Sequence, residues 1–303
     1  MLKTAQSLSL PKISIVTPSF NQAEFLEATI KSVISQEYPN LEYIIIDGGS
    51  TDGSIDIIKK YESHLHFWCS ELDNGQYDAI NKGFTHATGE ILAWINSDDM
   101  FYPWTFQTIA SIFSTFPQIE WLTTQHPGAF DYHGFWKGFR TIPGYSQSAF
   151  LDACYLPWGR KAFGWIQQES TFWRQSLWQK AGGIRTEYRL AGDFDLWSRF
   201  FCHAELYSTP SPLAGFRRQS GSRNSLNHRI YITEAEKSLN EMRELLNWSP
   251  SNARKIASLF QFNRIPKIRS WTKSMYAYQS KQIVRKKVDS IDGFWELQEY
   301  TFI

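Results

Sequence analysis

Residues 13–54 read ISIVTPSFNQAEFLEATIKSVISQEYPNLEYIIIDGGSTDGS, and this stretch decides the fold. Apolar runs rich in β-branched residues, at 13–17 and 43–47, flank a segment with helical spacing of its apolar residues. The runs predict buried strands, and strand, helix and strand in this order form a βαβ unit with parallel strands. The helix is expected to stop at Tyr38 and Pro39 because proline cannot continue it.

The same alternation continues toward the C-terminus. The segments HFWC at 66–69, ILAWI at 91–95 and WLTT near Trp121 predict further strands, and residues 77–85 predict a helix between the first two. Repeated alternation of this kind is typical of an α/β fold. We therefore predict a Rossmann-like, mostly parallel central sheet flanked by helices.

The C-terminal half has a weaker pattern. Between about Gln125 and Gln168 the periodicity gives way to glycine, proline and aromatic residues, which predicts loops and short helices. Order returns with a segment at 170–173 and a helix that starts near Asp193. The chain beyond about residue 226 is expected to be helical.

Composition excludes several classes of protein. The chain has 303 residues, 42% of them apolar and 20% charged, as in ordinary globular proteins. A net charge of +1 argues against a dedicated nucleic-acid binder. Three widely spaced cysteines predict neither a disulfide framework nor a zinc site, and they fit a reducing cytoplasm. Since no stretch approaches the roughly 20 apolar residues of a spanning helix, a soluble or peripheral protein is expected.

Polar side chains follow the predicted strands at the edge where an open parallel sheet binds ligands. Pro18, Ser19 and Asn21 follow the first strand, and Asp47 ends the second. The Asp47 carboxylate could accept hydrogen bonds from a ribose or a base. The following GGSTDGS equally favours an Asx turn or a helix cap at Asp47, and the residues alone leave both alternatives open.

Asp98 and Asp99 follow the strand ILAWI. Two adjacent carboxylates repel each other unless a cation or hydrogen-bond donors compensate, and Mg²⁺ or Mn²⁺ fits that need. A helix cap or a solvated loop is the alternative for an isolated pair of aspartates.

The run from Asp73 to Asp99, DNGQYDAINKGFTHATGEILAWINSDD, together with the stretch quoted first, resembles the donor-binding half of family 2 glycosyltransferases of the GT-A fold over about residues 11–116. The resemblance implies inverting transfer from a nucleotide-diphosphate sugar, with Mn²⁺ or Mg²⁺ as cofactor. It makes Asp99 and Asp98 the metal ligands, Asp99 the more direct of the two. It assigns donor binding to Pro18, Ser19, Asn21, Asp47, Asn81, Lys82 and Asp98.

A second block, QESTFWRQSLWQKAGGI followed by YRLAGDFDLWSRF, resembles the acceptor half of the same family. It matches Asp193 to the family's general base, whereas Gly192 stands where relatives carry an acid. Asp195 is expected in the first turn of the helix, and a helix cap is the alternative for Asp193.

The segment FRRQSGSRNS resembles the part of the family that closes over the donor diphosphate. Gln219 stands where relatives often carry histidine. Arg217, Arg218 and Arg223 are candidates for phosphate contact, with solvated surface arginines as the default.

These features predict a GT-A catalytic domain over 1–225, with a donor half at 11–124 and an acceptor half at 125–225, and a helical, basic extension over 226–303. The predicted partners are a nucleotide-diphosphate sugar and a saccharide or lipid-linked acceptor, in cell-surface polysaccharide or glycolipid synthesis. The alternatives are a non-catalytic nucleotide-sugar binder on a degenerate GT-A fold and a sugar nucleotidyltransferase. The nucleotidyltransferase is disfavoured because no glycine-rich basic loop follows the first strand.

The extension carries a local excess of positive charge. Residues 251–287 contain ten lysines and arginines and no acid, with aromatic and aliphatic residues between them. Such a segment suits peripheral contact with anionic lipid at the cytoplasmic face of the membrane. The alternative is a tail that packs its apolar residues on the catalytic domain.

Overall fold

The computed structural model describes residues 10–156, 163–219, 227–249, 251, 277–287 and 293–303. The helices are α1 Ala23–Ile34, α2 Ser54–Lys60, α3 Gln76–Thr85, α4 Thr105–Thr115, α5 Gln147–Leu151, α6 Gln175–Ala181, α7 Gly192–Phe201 and α8 His228–Leu245. The strands are β1 Ile13–Ser19, β2 Leu41–Asp47, β3 Phe67–Ser70, β4 Ile91–Trp94, β5 Met100–Phe101, β6 Trp121–Thr124, β7 Gly128–Phe130, β8 Trp136–Phe139, β9 Phe172–Arg174, β10 Leu206–Thr209, β11 Ala214–Arg217, β12 Tyr278–Lys286 and β13 Phe294–Phe302.

A nine-stranded sheet forms the centre, in the order β13-β12-β10-β6-β9-β4-β1-β2-β3. β1 pairs in parallel with β2 and β4, as the βαβ pattern predicts, and β9 and β13 are the antiparallel members. The prediction of an α/β fold with a mostly parallel central sheet is confirmed. The carboxyl ends of β1, β2 and β4 therefore meet at one edge.

Tryptophan makes up much of the core between the sheet and α7. Trp94, Trp121, Trp173 and Trp197 are each at most 1% exposed, and the Trp197 ring stacks on Trp94 with centroids 5.9 Å apart. Because Trp197 belongs to α7 and Trp94 to β4, this contact holds α7 on the strand that leads to Asp98. Aromatic residues account for 16% of the chain, and in this part of the molecule they serve packing.

A second sheet, in the order β5-β11-β7-β8, occupies part of the region predicted to form loops and short helices. That prediction missed β7 and β8, although the short helix α5 does occur there. β7 is three residues long, begins with glycine and pairs with β11 some 85 positions further along the chain. Strands this short carry no alternating pattern, and a distant partner stabilises them.

The prediction of a helical C-terminal extension is only partly right. α8 is helical, but β12 and β13 form an antiparallel hairpin, and β12 pairs with β10 in the central sheet. The hairpin forms because the edge of β10 offers unpaired backbone groups, which tail composition cannot reveal. Most of the basic segment predicted to contact lipid, and Arg223, lie outside the described residues.

Within the described ranges, the helices are all too short or too polar to cross a bilayer.

Candidate active site

Asp47 organises the loop after β2. Its carboxylate is fully buried and accepts hydrogen bonds from the backbone N–H groups of Gly49 (3.1 Å) and Ser50 (2.8 Å) and from the hydroxyls of Ser50 (2.5 Å) and Ser70 (2.7 Å). Four such bonds match the usual acceptor capacity of a carboxylate. Of the two alternatives for Asp47, this arrangement corresponds to the turn. Direct contact between Asp47 and a nucleotide stays a prediction.

The loop after β1 combines strain, an unpaired hydroxyl and an exposed ring. Asn21 has φ +51°, and its Oδ1 accepts a hydrogen bond from the Thr51 N–H at 2.9 Å, which joins this loop to the one after β2. The buried Ser19 Oγ has no hydrogen-bond partner among the described residues. Phe20 is 54% exposed beside them. Pro18 pairs in register with Ile46 inside the sheet, so it shapes the strand end.

Asn81 and Lys82 project from α3 in different directions. The Asn81 side chain bonds the backbone of Ile184 twice, donating to its carbonyl (2.7 Å) and accepting from its N–H (3.0 Å). Its amide therefore ties α3 to the loop before α7, and the structure does not direct it to the strand ends. Lys82 forms an ion pair at 2.8 Å with Glu71, directly after β3. Lys82 thus lies closer to the Asp47 loop than Asn81 does.

Asp98 and Asp99 follow β4 as predicted, but their environments differ. Asp99 is fully buried, and its carboxylate accepts hydrogen bonds from the Arg217 N–H (2.8 Å) and the Asn96 side chain (3.2 Å). Asp98 is partly exposed, and within the described ranges its carboxylate accepts one side-chain hydrogen bond, from Gln219 at 2.8 Å. Among the described residues Asp98 therefore has fewer hydrogen-bond partners than Asp99.

A third carboxyl group, Glu169, completes an acidic cluster that the sequence did not indicate. Burial and the carboxylates of Asp98 and Glu169 raise the pKa of Asp99 well above its usual range. Burial likewise raises the pKa of Glu169 to about 7, and Glu169 also interacts with Asp98 and Asp193. Glu169 therefore interacts electrostatically with Asp98, Asp99 and Asp193.

The cluster matches a divalent cation only in part. Mg²⁺ and Mn²⁺ are commonly held by one or two protein carboxylates, with phosphate and water completing the shell. Asp98 satisfies that requirement, whereas Asp99 has both oxygens engaged. The Asn96 amide is used by Gln76, Asp99 and Gln168, so it is not a metal ligand here. Over the described part of the chain, no three His, Cys, Asp or Glu side chains form a ready metal site.

Asp193 lies in the first turn of α7 and is partly exposed, yet its buried Oδ1 has no partner among the described residues. Desolvation raises the pKa of Asp193 to about 6, against the backbone N–H groups at the helix start and the Tyr231 hydroxyl, which lower it. The cap position of α7 is Ala191, two residues before Asp193, and no side chain in the described ranges caps this helix. An unpaired, desolvated oxygen is instead what a general base needs.

Glu234 of α8 and Tyr77 of α3 hold the segment before Asp193. The Glu234 carboxylate accepts three backbone hydrogen bonds, from Arg189, Leu190 and Ala191, each at 2.9 Å. The Tyr77 hydroxyl donates to the Leu190 carbonyl (2.7 Å) and accepts from the Gly192 N–H (2.9 Å). A Cβ at residue 192 would lie 2.6 Å from the Tyr77 ring, so glycine there permits this contact.

Sequence reasoning missed several residues of this site. Glu234 carried no recognisable motif. Glu169 stands in the quoted block that begins QESTFW, within a buried polar run at residues 167–170, but was not singled out. The default prediction of a solvated surface arginine is wrong for Arg217. This residue is 3% exposed, and its Nε donates to the Asp98 carbonyl at 2.7 Å. Arg218 is exposed, as that default expects. Asp195 lies in the first turn of α7 as predicted, and its buried carboxylate pairs with Arg199 at 2.7 Å.

Solved structures resemble this fold. TarS 1-349 from S. aureus in complex with UDP-GlcNAc aligns with a TM-score of 0.56 at 15% identity, over 87% of this chain and 82% of that one. The mannosyltransferase PcManGT from Pyrobaculum calidifontis, in complex with GDP-Man and Mn²⁺, aligns with a TM-score of 0.53 at 15% identity, over 88% and 84%. Identities this low establish the shared fold alone.

Several curated relatives match about a third of the chain. The uncharacterized glycosyltransferase Rv1514c of Mycobacterium tuberculosis is 43% identical over 94 residues, which is 31% of this chain and 36% of that protein. TuaG of Bacillus subtilis, whose name refers to teichuronic acid biosynthesis, is 39% identical over 92 residues, 29% of this chain and 36% of that protein. The matched part of this chain thus spans about a third of the length of the curated relatives.

The fold is of the α/β GT-A type, like that of the solved structures. Its central sheet places acidic side chains at the carboxyl ends of β2 and β4. Residues 14–153 match the family model described as glycosyl transferase family 2. Over these residues the chain is similar to that family.

Proposed function

We propose that this chain is an inverting glycosyltransferase that moves a sugar from a nucleotide diphosphate to a hydroxyl acceptor. The observation that carries the proposal is the Asp193 carboxyl, which has a buried oxygen without a partner among the described residues and a pKa raised to about 6. A base with a pKa near the working pH is efficient at proton transfer. TuaG, by its name, supports a role in cell-surface polysaccharide synthesis.

In the proposed step, Asp193 takes the proton of the acceptor hydroxyl while that oxygen bonds to the anomeric carbon of the donor. The bond from this carbon to the diphosphate oxygen breaks, and its electron pair leaves with the diphosphate. Since the attack comes from the side opposite the leaving group, one displacement inverts the anomeric centre. The base supplies about 10² to 10⁴ of the rate.

The donor lies, in this proposal, over the loops after β1, β2 and β4. The exposed Phe20 ring suits stacking on a nucleotide base, and the unpaired Ser19 hydroxyl suits a hydrogen bond to the nucleotide. Asp98 would hold a divalent cation, with Asp99 buried behind it. Such a cation, when bound, stabilises the charge that develops on the diphosphate.

The test is a panel of nucleotide sugars, including UDP-GlcNAc and GDP-Man, with release of nucleoside diphosphate measured with Mn²⁺ and with a chelator. We expect one donor to release its diphosphate slowly to water and faster once a suitable acceptor is present. A protein that binds a donor but releases nothing under any condition would instead be the non-catalytic binder.

Glu234→Gln is expected to lower kcat by about 10²-fold while leaving the affinity for the nucleotide unchanged. Glutamine turns an N–H donor toward the N–H groups of residues 189–191, so the segment before Asp193 shifts. A catalytic group misplaced by about 1 Å lowers the rate by about 10²-fold. Steady-state kinetics and nucleotide calorimetry measure the two quantities separately.

Glu236→Gln is the matched control, because Glu236 is an exposed acid on the same helix. We expect it to behave as wild type. If Glu234→Gln keeps the wild-type kcat, with or without a change in melting temperature, the contacts of Glu234 serve folding alone.

A further inference from the structure

The hairpin of β7 and β8 presents aromatic rings to solvent. Phe135 is 71% exposed, Trp136 60% and Phe139 52%, and β8 is the outer strand of the four-stranded sheet. We call these three residues the aromatic edge. Single exposed apolar residues are ordinary, but large rings grouped on one strand usually mark a contact surface.

A β-bulge builds this edge. Gly128 pairs with Phe139, and Phe130 pairs with Trp136. The three residues of β7 thus lie opposite the four residues of β8, and Lys137 is the extra one. In a regular strand, residues 136 and 139 would point to opposite faces, and the extra residue brings them to the same face. Their ring centroids lie 6.5 Å apart. Gly138 has φ +117°, a conformation that favours glycine and completes the bulge.

Positive charge accompanies the rings. Lys137 and Arg140 are exposed, and the Arg140 guanidinium lies 5.8 Å from the Trp165 ring, itself 37% exposed. Asp131 is the acid of this hairpin, and its Oδ1 is turned inward to accept the Phe135 N–H at 2.9 Å. The nearby Glu24 is bonded by the Tyr132 hydroxyl. The exposed residues of β8, with Arg140 directly after it, are therefore aromatic and cationic.

From this geometry we infer that the aromatic edge inserts into the headgroup region of an anionic lipid bilayer. Rings that enter the interface while lysine and arginine meet lipid phosphates are the pattern of peripheral membrane contact. Phe135, between the turn and β8, has a side chain without any polar group that water or a sugar could bond. β8 reads WKGF and offers no amide or carboxyl group to orient sugar hydroxyls, which disfavours a soluble glycan as the occupant.

The edge is joined to the catalytic crevice by Arg217. Its guanidinium donates to the carbonyls of Tyr132 (2.9 Å) and Asp98 (2.7 Å). A bilayer at the edge would thus lie beside the crevice, where a lipid-linked acceptor could be reached. The lipid contact itself does not depend on the proposed transfer reaction.

The test is co-sedimentation of the full chain with vesicles of phosphatidylcholine, alone or mixed with phosphatidylglycerol, across a salt series. We expect binding to the mixed vesicles that weakens as salt rises. The double substitution Phe135→Ser and Trp136→Ser should lower vesicle affinity about 100-fold, since two rings no longer leave water. Nucleotide affinity, measured separately, should not change.

Phe294→Ser is the matched control, because Phe294 is 53% exposed but lies on β13, an edge strand of the other sheet. It should bind vesicles as wild type does. Double-variant binding equal to wild type, or no wild-type binding even at low salt, would overturn the inference. Two other results for the double variant would also overturn the inference. One is unchanged vesicle binding with a lower affinity for a soluble glycan, and the other is the loss of a dimer, measured by light scattering.

Discussion

Asp193→Asn is expected to lower the rate of glycosyl transfer by about 10² to 10⁴. Asparagine keeps the size of the side chain but cannot accept the acceptor proton. Because folding desolvates the Asp193 carboxylate and raises its pKa, removing that charge should leave the melting temperature equal or higher above pH 6. Transfer kinetics and thermal unfolding of the same preparation measure both effects.

The pH dependence of kcat/KM tests the role of Asp193 as the base independently. A base with a raised pKa of about 6 is protonated and inactive below that pH, so kcat/KM should rise with pH through about 6 and level off above it. Asp56→Asn is the control, since Asp56 is an exposed acid in the first turn of α2. Wild-type turnover in Asp193→Asn, or an unchanged pH profile, would place the base elsewhere.

Asp98→Asn is expected to abolish the gain in nucleoside diphosphate affinity that Mn²⁺ provides, a loss of at least about 10-fold to 100-fold. The substituted amide can still accept the Gln219 hydrogen bond, so the fold should be retained. Calorimetry with Mn²⁺ and with chelator measures the effect. Wild-type affinity that is equal in both conditions would contradict the proposed metal.

The substitution Asp99→Asn tests whether Asp99 supports the fold from a buried position or contacts the metal directly. The two oxygens of Asp99 accept hydrogen bonds from Arg217 and Asn96, one each, whereas an amide has only one acceptor oxygen. We expect a loss of stability of about 1 to 3 kcal/mol, seen in thermal unfolding without nucleotide. If Asp99→Asn instead keeps its stability and loses only the Mn²⁺ effect, Asp99 is the metal ligand and Asp98 is not.

Much of the donor half could be predicted from local signals. The buried runs at 13–17, 43–47 and 91–95 became β1, β2 and β4, because long apolar stretches rich in β-branched residues need a sheet to cover them. Ligand-binding polar residues follow such strands at a known edge, so Asp47 and Asp98 could be placed before any coordinates. The register of Asp193 in the first turn of α7 followed from its motif in the same way.

The roles of these residues required the tertiary structure. Whether Asp47 or Asp98 keeps a free oxygen depends on donors from Ser70 and Gln219, far away in the sequence. The β12–β13 hairpin joins the sheet through backbone groups, and the Glu234 carboxylate accepts from backbone N–H groups of residues 189–191. Neither contact leaves a side-chain pattern in the sequence. Local periodicity reports which residues avoid water. Hydrogen-bond partners and desolvation depend on distant segments meeting, and only the folded chain decides them.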